Sequence, residues 1–115
     1  MLFDNKQMQI MTSGLDALST RQRMILHNLS NLETMGYKTK DVVFEDVFKN
    51  ARGRYEVRHK VVTQENTTLR ADGNNVDADV ESMKLYENYV QQQYLYQKIS
   101  GQISNYRYVL KAGPK

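Results

Sequence analysis

The sequence predicts a mainly α-helical chain in which two long terminal helices enclose a short β or irregular insert. Apolar residues recur in alternating steps of three and four within residues 1–36, and again within residues 80–115. Residues 37–79 are instead rich in Val, Phe, Tyr and turn-forming residues. Because a period near 3.5 is typical of helices and β-branched clusters are typical of strands, we predict three parts that together form one structural unit.

The composition of the 115 residues excludes several kinds of protein. There is no cysteine, so disulfides, thiolate zinc sites and cysteine nucleophiles are excluded. The apolar runs are three residues long at most, whereas a membrane-spanning helix needs about 20 and a cleaved signal about 7–15. Sixteen Lys and Arg against thirteen Asp and Glu give a net charge of only +3. We therefore expect no direct membrane span and no nucleic acid as a partner.

The first helix carries a stripe typical of a coiled-coil seam. The stripe is sustained over more than three heptads, with Gln22 in the one missing position. Gly36 suits the left-handed residue that ends a helix, so we predict a helix from about Asp4 to Thr34. The stripe consists of Met8, Met11, Leu15, Leu18, Ile25, Leu29 and Leu32.

The last helix repeats this pattern, with Gln92 in its missing position. Asp77 and Asp79 stand where the helix should begin, and a carboxylate there can accept free backbone N–H groups. Lys111 suits the negative end of the helix dipole. The stripe consists of Leu85, Tyr89, Tyr96, Ile99, Ile103, Tyr106 and Leu110.

Both helices also carry apolar residues away from these stripes, and a two-helix hairpin would leave them in water. One interpretation is that they pack against the middle segment. The interpretation we favour is that each helix contacts several neighbours in an assembly, where tyrosine is well suited because its ring buries area while its hydroxyl stays polar. These residues are Ile10, Met24, Leu26, Tyr86, Val90, Tyr94 and Tyr108. The helix–helix seam of that assembly is predicted at Leu15, Leu18, Ile25, Leu29, Tyr96, Ile99, Ile103 and Tyr106.

The insert offers extended stretches and turns but no chemistry. Residues 41–48 and 55–63 favour strands, while 51–54 and 72–75 favour turns, so a small hairpin fits. The acidic cluster at 72–81 fails the calcium-loop register, since Asp77 stands where glycine is required. His27 and His59 have no partner at ligand spacing. We therefore predict no catalytic residue, no metal or cofactor, and a protein that is not an enzyme.

Residues 49–60 form the one locally basic stretch, with five cations against Glu56. Cations around Tyr55 could bind a phosphate backbone or an anionic lipid surface, which would make the chain a small basic binding module. The alternative, which we favour, is a solvated hairpin whose charges keep an exposed strand edge from pairing with other chains.

Two motifs resemble those of a known family. NLSNLETMGYK at 28–38 resembles the N-L/I-A-N-x-x-T-P-G-Y-K signature of bacterial flagellar axial proteins, which build the rod, hook and hook-associated parts. LRADGNNVDADVE at 69–81 is similar to the segment that precedes the last helix in one rod subunit of that family, the proximal one. Met35 replaces the usual proline of the first motif, and Ser82 replaces the methionine expected after the second.

The resemblance implies a structural subunit of the basal body that self-assembles into the tubular drive shaft between the inner-membrane (MS) ring and the distal rod. Implied partners are further copies, sibling rod proteins, the MS ring with its rod adaptor, and the flagellar type III export apparatus. The chain would reach the periplasmic side of the inner membrane by unfolded export. A different axial subunit is the closest alternative. The motif residues expected to hold the helix junctions are Asn28, Asn31, Gly36, Tyr37, Asp72, Gly73, Asn74, Asn75 and Asp77.

Overall fold

A computed structural model describes residues 5–65 and 70–113 of the chain. They form helix α1 (Lys6–Ser30), strand β1 (Lys40–Lys49), strand β2 (Tyr55–Thr63) and helix α2 (Ala78–Ala112). The predicted fold class, mainly helical with a short β insert between two helices, is therefore confirmed. Asp4, the predicted start of the first helix, and Leu69, the first residue of the second motif, lie outside the described residues.

Helix α1 ends earlier than predicted. The Asn5 side chain accepts a hydrogen bond from the Gln7 N–H at 2.8 Å and caps the helix start. At the other end the helix stops at Ser30 rather than Thr34, because Asn31 leaves helical geometry with φ −105° and ψ 20° and a turn follows. Gly36 has the left-handed φ of 72° expected of it, but it serves a turn beyond the helix rather than the helix end.

The strands pair as an antiparallel hairpin in which Val42 lies opposite Val61. The ladder is interrupted by an irregularity between Phe44 and Val47. The tight turn at its tip is organised by Asn50, whose carbonyl accepts from the Gly53 N–H at 2.9 Å and whose side chain accepts from the two neighbouring backbone N–H groups at 52 and 54. Because Gly53 has a φ of 79°, glycine fits this turn without strain.

Helix α2 begins where the carboxylates predicted it. Asp77 is its N-cap, with Oδ1 accepting from the N–H groups of Asp79 at 3.0 Å and Val80 at 3.2 Å. The helix has 35 residues, which corresponds to a length of about 52 Å. Helix α1 has 25 residues and is about 37 Å long, so the two helices cannot cover each other fully.

Helix α1 lies between α2 and the hairpin. It runs antiparallel to α2, since Asn28 bonds to Glu81 at one end and Gln7 bonds to Gln102 at the other. On another side of α1, Gln9 accepts from the Tyr55 N–H at 2.8 Å, so a helix side chain satisfies backbone of β2. Ser13 does the same for the Val57 N–H at 2.8 Å. The two partners of α1 thus lie on different faces of that helix.

The apolar core is small and the molecule is elongated. Its radius of gyration is 18.8 Å, against about 13 Å for a compact chain of this length. Its accessible surface is 8107 Å², against about 6,500 Å² for a compact monomer of this mass. The shape, 72 × 30 × 15 Å, leaves much apolar surface in water. The buried apolar residues are Met8, Met11, Ala17, Leu18, Ile25, Val42 and Val76.

Coiled-coil packing of the two helices is not confirmed within one chain, because the buried face of α2 is polar. Its buried residues are Glu81, Asn88 and Gln92. Asn88 donates to the Leu18 carbonyl at 3.0 Å, and Gln92 donates to Gln22 at 3.1 Å. The predicted stripe of α2 lies to one side of this contact. Leu85, Ile99 and Ile103 are half-buried, while Tyr89, Tyr96, Tyr106 and Leu110 are exposed.

Candidate assembly surfaces and the junction that positions them

The junction between α1, the hairpin and α2 is built around the buried side chain of Asn28. Its amide nitrogen donates to the Lys40 carbonyl at 2.8 Å and to Glu81 Oε2 at 3.0 Å. Its amide oxygen accepts from the Lys40 N–H at 2.9 Å and from the Tyr37 hydroxyl at 2.8 Å. An asparagine side chain has four such positions, and all four are used here. One residue of the first motif therefore joins three parts of the fold.

Charged and titratable groups surround this asparagine. The Tyr37 hydroxyl also lies 2.7 Å from His27 Nδ1. Burial, and then the negative charge of Glu81, raise the pKa of Tyr37 above its ordinary value of 10.0. Glu81 is only 2% exposed, and its carboxylate lies 3.7 Å from the Lys84 ammonium. Lys84 is in turn 3.8 Å from Asp41 on β1, so an ion-pair chain reaches from α2 to the hairpin.

Asn74 closes the turn after α1. Its side chain is fully buried, and its amide nitrogen donates to the carbonyls of Asn31 at 2.9 Å, Leu32 at 3.2 Å and Thr34 at 2.7 Å. Its amide oxygen accepts from the Val76 N–H at 2.7 Å. These carbonyls belong to the turn that follows α1, so a residue of the second motif holds the turn that the first motif forms.

Asn75 and two glycines complete the same junction. The Asn75 side chain accepts from the Thr39 N–H at 2.7 Å and donates to the Gln64 carbonyl at 2.7 Å, which ties it to the open end of the hairpin. Gly36 and Gly73 both have a positive φ, and the Gly36 N–H donates to the Asp72 carbonyl at 2.9 Å. The Asp72 carboxylate accepts from the backbone N–H of residue 74 at 3.0 Å. The two motifs thus form one structure, although some 30 residues separate them.

An apolar groove opens on the hairpin side of the helix pair. It has a volume of about 560 Å³ and is lined almost entirely by apolar atoms. Gly14 lies at its floor, where an added Cβ would be 3.4 Å from the Leu95 side chain, so the helices approach closely. We call this the hairpin-side groove. Its walls include Ile10, Leu18, Phe44, Val57, Val90 and Tyr94.

A second groove lies elsewhere along the helix pair, and we call it the Tyr89 groove. It has a volume of about 430 Å³. Leu26 of α1 contributes one wall and is 46% exposed, while Tyr86 and Tyr89 of α2 are 69% and 57% exposed. The predicted stripe of α2 borders this groove through Leu85. Apolar residues of α2 therefore line two separate surfaces.

The predicted assembly-seam residues divide between the inside and the surface of the chain. On α1, Leu18 and Ile25 are buried and Leu15 and Leu29 are half-buried. On α2, Ile99 and Ile103 are half-buried. Tyr96 is 50% exposed and Tyr106 is 42% exposed. The α1 stripe serves mainly the fold of one chain, and the α2 stripe remains largely available to another.

Sequence reasoning missed several residues that hold these surfaces in place. The buried Glu81 was visible only as the last letter of the second motif. Gln9 and Ser13 lie off the apolar stripe, and no sequence signal marks them as partners of strand β2. Arg21 lies 3.9 Å from Asp41, an ion pair that joins α1 to the hairpin. Residue type alone does not reveal such pairs, because they depend on which elements meet.

Within the described residues, no helix combines the length and apolar character needed to cross a membrane.

Comparison with known proteins finds a similar flagellar protein. No protein-family model matches the chain. The chain is similar to the flagellar basal body rod protein FlgB of Bacillus subtilis strain 168, with 28% identity over 120 aligned positions. The alignment covers 91% of this chain and 93% of the relative, so it includes the hairpin, the junction and most of each helix.

Proposed function

We infer that this chain is a member of the FlgB family of flagellar basal body rod proteins and a structural component of the rod. The observation that carries the inference is the near full-length similarity to a rod protein in a chain that leaves its own apolar faces uncovered. An elongated subunit with two apolar grooves cannot bury them alone, so neighbouring subunits must do so. Its role is then mechanical, and no catalysis is required of it.

The exposed stripe of α2 is the surface we propose for coiled-coil-like contacts between subunits. Tyr96 and Tyr106 are half exposed, and buried tyrosine rings are common anchors of protein interfaces. The stripe and the hairpin-side groove are different surfaces, so contacts made through them are head-to-tail. Head-to-tail contacts that do not close into a ring continue as a helical tube. This geometry supports a tubular rod built around the terminal helices.

The proposed partners are other rod components, both further copies and sibling subunits. As the proximal subunit, the chain would also contact the inner-membrane MS ring through the rod adaptor, on the periplasmic side of the membrane. We propose that it arrives there unfolded through the flagellar type III export apparatus. Its small core supports this route, because little buried apolar surface has to be exposed for unfolding.

Two cations of the basic stretch, Lys49 and Arg58, contact aromatic rings of the chain itself, which favours a structural role for the stretch. The Lys6 and Lys49 ammonium groups lie 4.5 and 5.6 Å from the centre of the Tyr55 ring. Arg58 lies 3.9 Å from the centre of the Phe48 ring. Such cation–π contacts hold these cations against the chain's own aromatic side chains. We therefore do not propose nucleic acid or lipid as a ligand.

Purified basal bodies test this function directly. A strain that lacks the chain should be non-motile and should regain swimming when the full-length chain is restored. Basal bodies isolated from the restored strain should contain the chain in the rod fraction, detected by an antibody. A restored strain that swims while its rods contain none of the chain would contradict the proposal.

A further inference from the structure

We propose that the hairpin-side groove binds the C-terminal end of α2, residues 103–112, from a second copy of this chain. The inference rests on the proposed function and deepens it, because it names which surfaces of two neighbouring subunits meet. It is drawn from the chemistry of the groove, from the exposed end of α2, from a charge pair between the two and from the surface area available.

The groove has the chemistry of a helix-binding surface. Its walls come from three elements: Ile10 and Leu18 on α1, Phe44 on β1, and Val90 on α2. Within the described residues, its polar lining groups are confined to Gln91 and the hydroxyl of a tyrosine. A small-molecule pocket needs several convergent polar groups to orient its ligand, whereas a long apolar groove accepts the apolar face of an amphipathic helix.

The end of α2 supplies such a face. Among the described residues, the hydrogen bond between α2 and α1 that lies nearest the end of α2 joins Gln102 to Gln7 at 2.8 Å, and α2 continues beyond it to Ala112. Past that point apolar residues recur in steps of three and four, which places them on one side of the helix. Tyr106 is 42% exposed, and Val109 and Leu110 are 65% and 64% exposed. The face consists of Ile103, Tyr106, Val109 and Leu110.

A carboxylate beside the groove can pair with the basic end of α2. Residues 88–115 contain four cations and no Asp or Glu, so the end of α2 is purely basic. Beside the groove, the exposed Glu87 lies one turn before Val90 on α2, and the Lys98 ammonium lies further along, 5.5 Å from the centre of the Tyr94 ring. A helix seated parallel to α2 with Leu110 near Val90 brings Arg107, one turn before Leu110, towards Glu87, one turn before Val90. Complementary charges of this kind fix the orientation of a docked helix more than its affinity.

The available area fits a subunit that docks on two sides. The chain exposes on the order of 1,600 Å² more than a compact monomer of its mass. A standard interface buries about 800 Å² on each partner. The excess accessible surface therefore matches two such contact areas on each subunit. One receives a helix end from a neighbour, and the other is the helix end that the subunit donates. Such a pair of unlike surfaces is what a non-closing, head-to-tail contact requires.

Disulfide cross-linking tests the contact, because the chain has no cysteine of its own. One copy carries Val90→Cys and a second, co-expressed copy carries Leu110→Cys, so a disulfide between them must join two molecules. The matched control replaces Leu110→Cys by Tyr108→Cys, which is 74% exposed but lies two residues away and hence on nearly the opposite side of the helix. Full-length chains are oxidised mildly in isolated rods and in the unassembled pool.

We expect the Val90–Leu110 dimer in rods, and much less of it in the unassembled pool or with the Tyr108 control. As a second measurement, Glu87→Lys in the receiving copy should lower the dimer yield about two- to fivefold, the range for one exposed charge pair, and Arg107→Glu in the donating copy should restore it. If the chain is present in rods but this dimer does not form, or if Tyr108→Cys links equally well, the groove contact is wrong. The proposed function would still stand in that case. Absence of the unmodified chain from rods would overturn the proposed function as well.

Discussion

Replacing Asn74 by alanine should lower the free energy of unfolding more than an alanine substitution at an exposed position does. The change removes three hydrogen bonds to carbonyls after α1 and leaves the buried Val76 N–H without its acceptor. Because those carbonyls keep other partners, such as the Tyr37 N–H on Thr34, we assign most of the cost to the orphaned N–H. An orphaned buried group costs about 1–3 kcal/mol, and the bonds to carbonyls that keep other partners add about 1 kcal/mol together, so we expect about 2–4 kcal/mol in total.

The assay is urea unfolding of the full-length chain, followed by far-ultraviolet circular dichroism in an osmolyte that populates the folded state. With a slope of about 2 kcal/mol per molar urea, Asn74→Ala should lower the midpoint by about 1–2 M. Gln93→Ala is the matched control, since it removes an amide from an exposed position on α2 and should change stability by less than about 0.5 kcal/mol. Equal midpoints for the two variants would refute the role assigned to Asn74.

Three further predictions concern other positions. Gly73→Ala should destabilise the chain by about 1–2 kcal/mol because the φ of Gly73 is 85°. Gly101→Ala should instead stabilise the chain by about 0.5–1 kcal/mol, because Gly101 lies inside α2 with open space around it. The two variants should therefore shift the urea midpoint in opposite directions. Burial raises the pKa of Tyr37, so the folded state favours the neutral phenol. The free energy of unfolding should therefore fall as pH rises above about 10, and it should fall less steeply in Tyr37→Phe. Urea midpoints measured across alkaline pH test this. Leu29→Asp should prevent swimming while the chain is still exported, and normal motility of that variant would remove the α1 stripe from the account.

The parts of the fold that sequence predicted are those fixed by local signals. Asp77 caps α2 because a carboxylate before a helix binds the free N–H groups that follow it in sequence. The apolar stripe of α1 predicted its buried face through Leu18 and Ile25. The hairpin turn at Gly53 needs only a residue that accepts a positive φ. Each of these signals acts within a few residues of the structure that it determines.

The parts that sequence could not predict depend on contacts between distant residues. The turn that follows α1 at Ser30 is held by Asn74, more than forty residues later, which donates to the carbonyls of that turn. The face of α2 that meets α1 is polar because Asn88 reaches the Leu18 carbonyl, and an apolar periodicity cannot reveal such a bond. The family motifs marked Asn28 and Asn74 as important, but only the fold brings them into one junction.

The central claim is that this chain is completed by its neighbours, and its helix content in isolation tests that claim most directly. The purified full-length chain should be measured by circular dichroism in dilute solution and again as concentration rises, with sedimentation to follow association. The account predicts less helix in the dilute chain than the 25 and 35 residues of α1 and α2 require, and a gain in helix as copies associate. A dilute monomer that is already fully helical and melts in one sharp transition would contradict it.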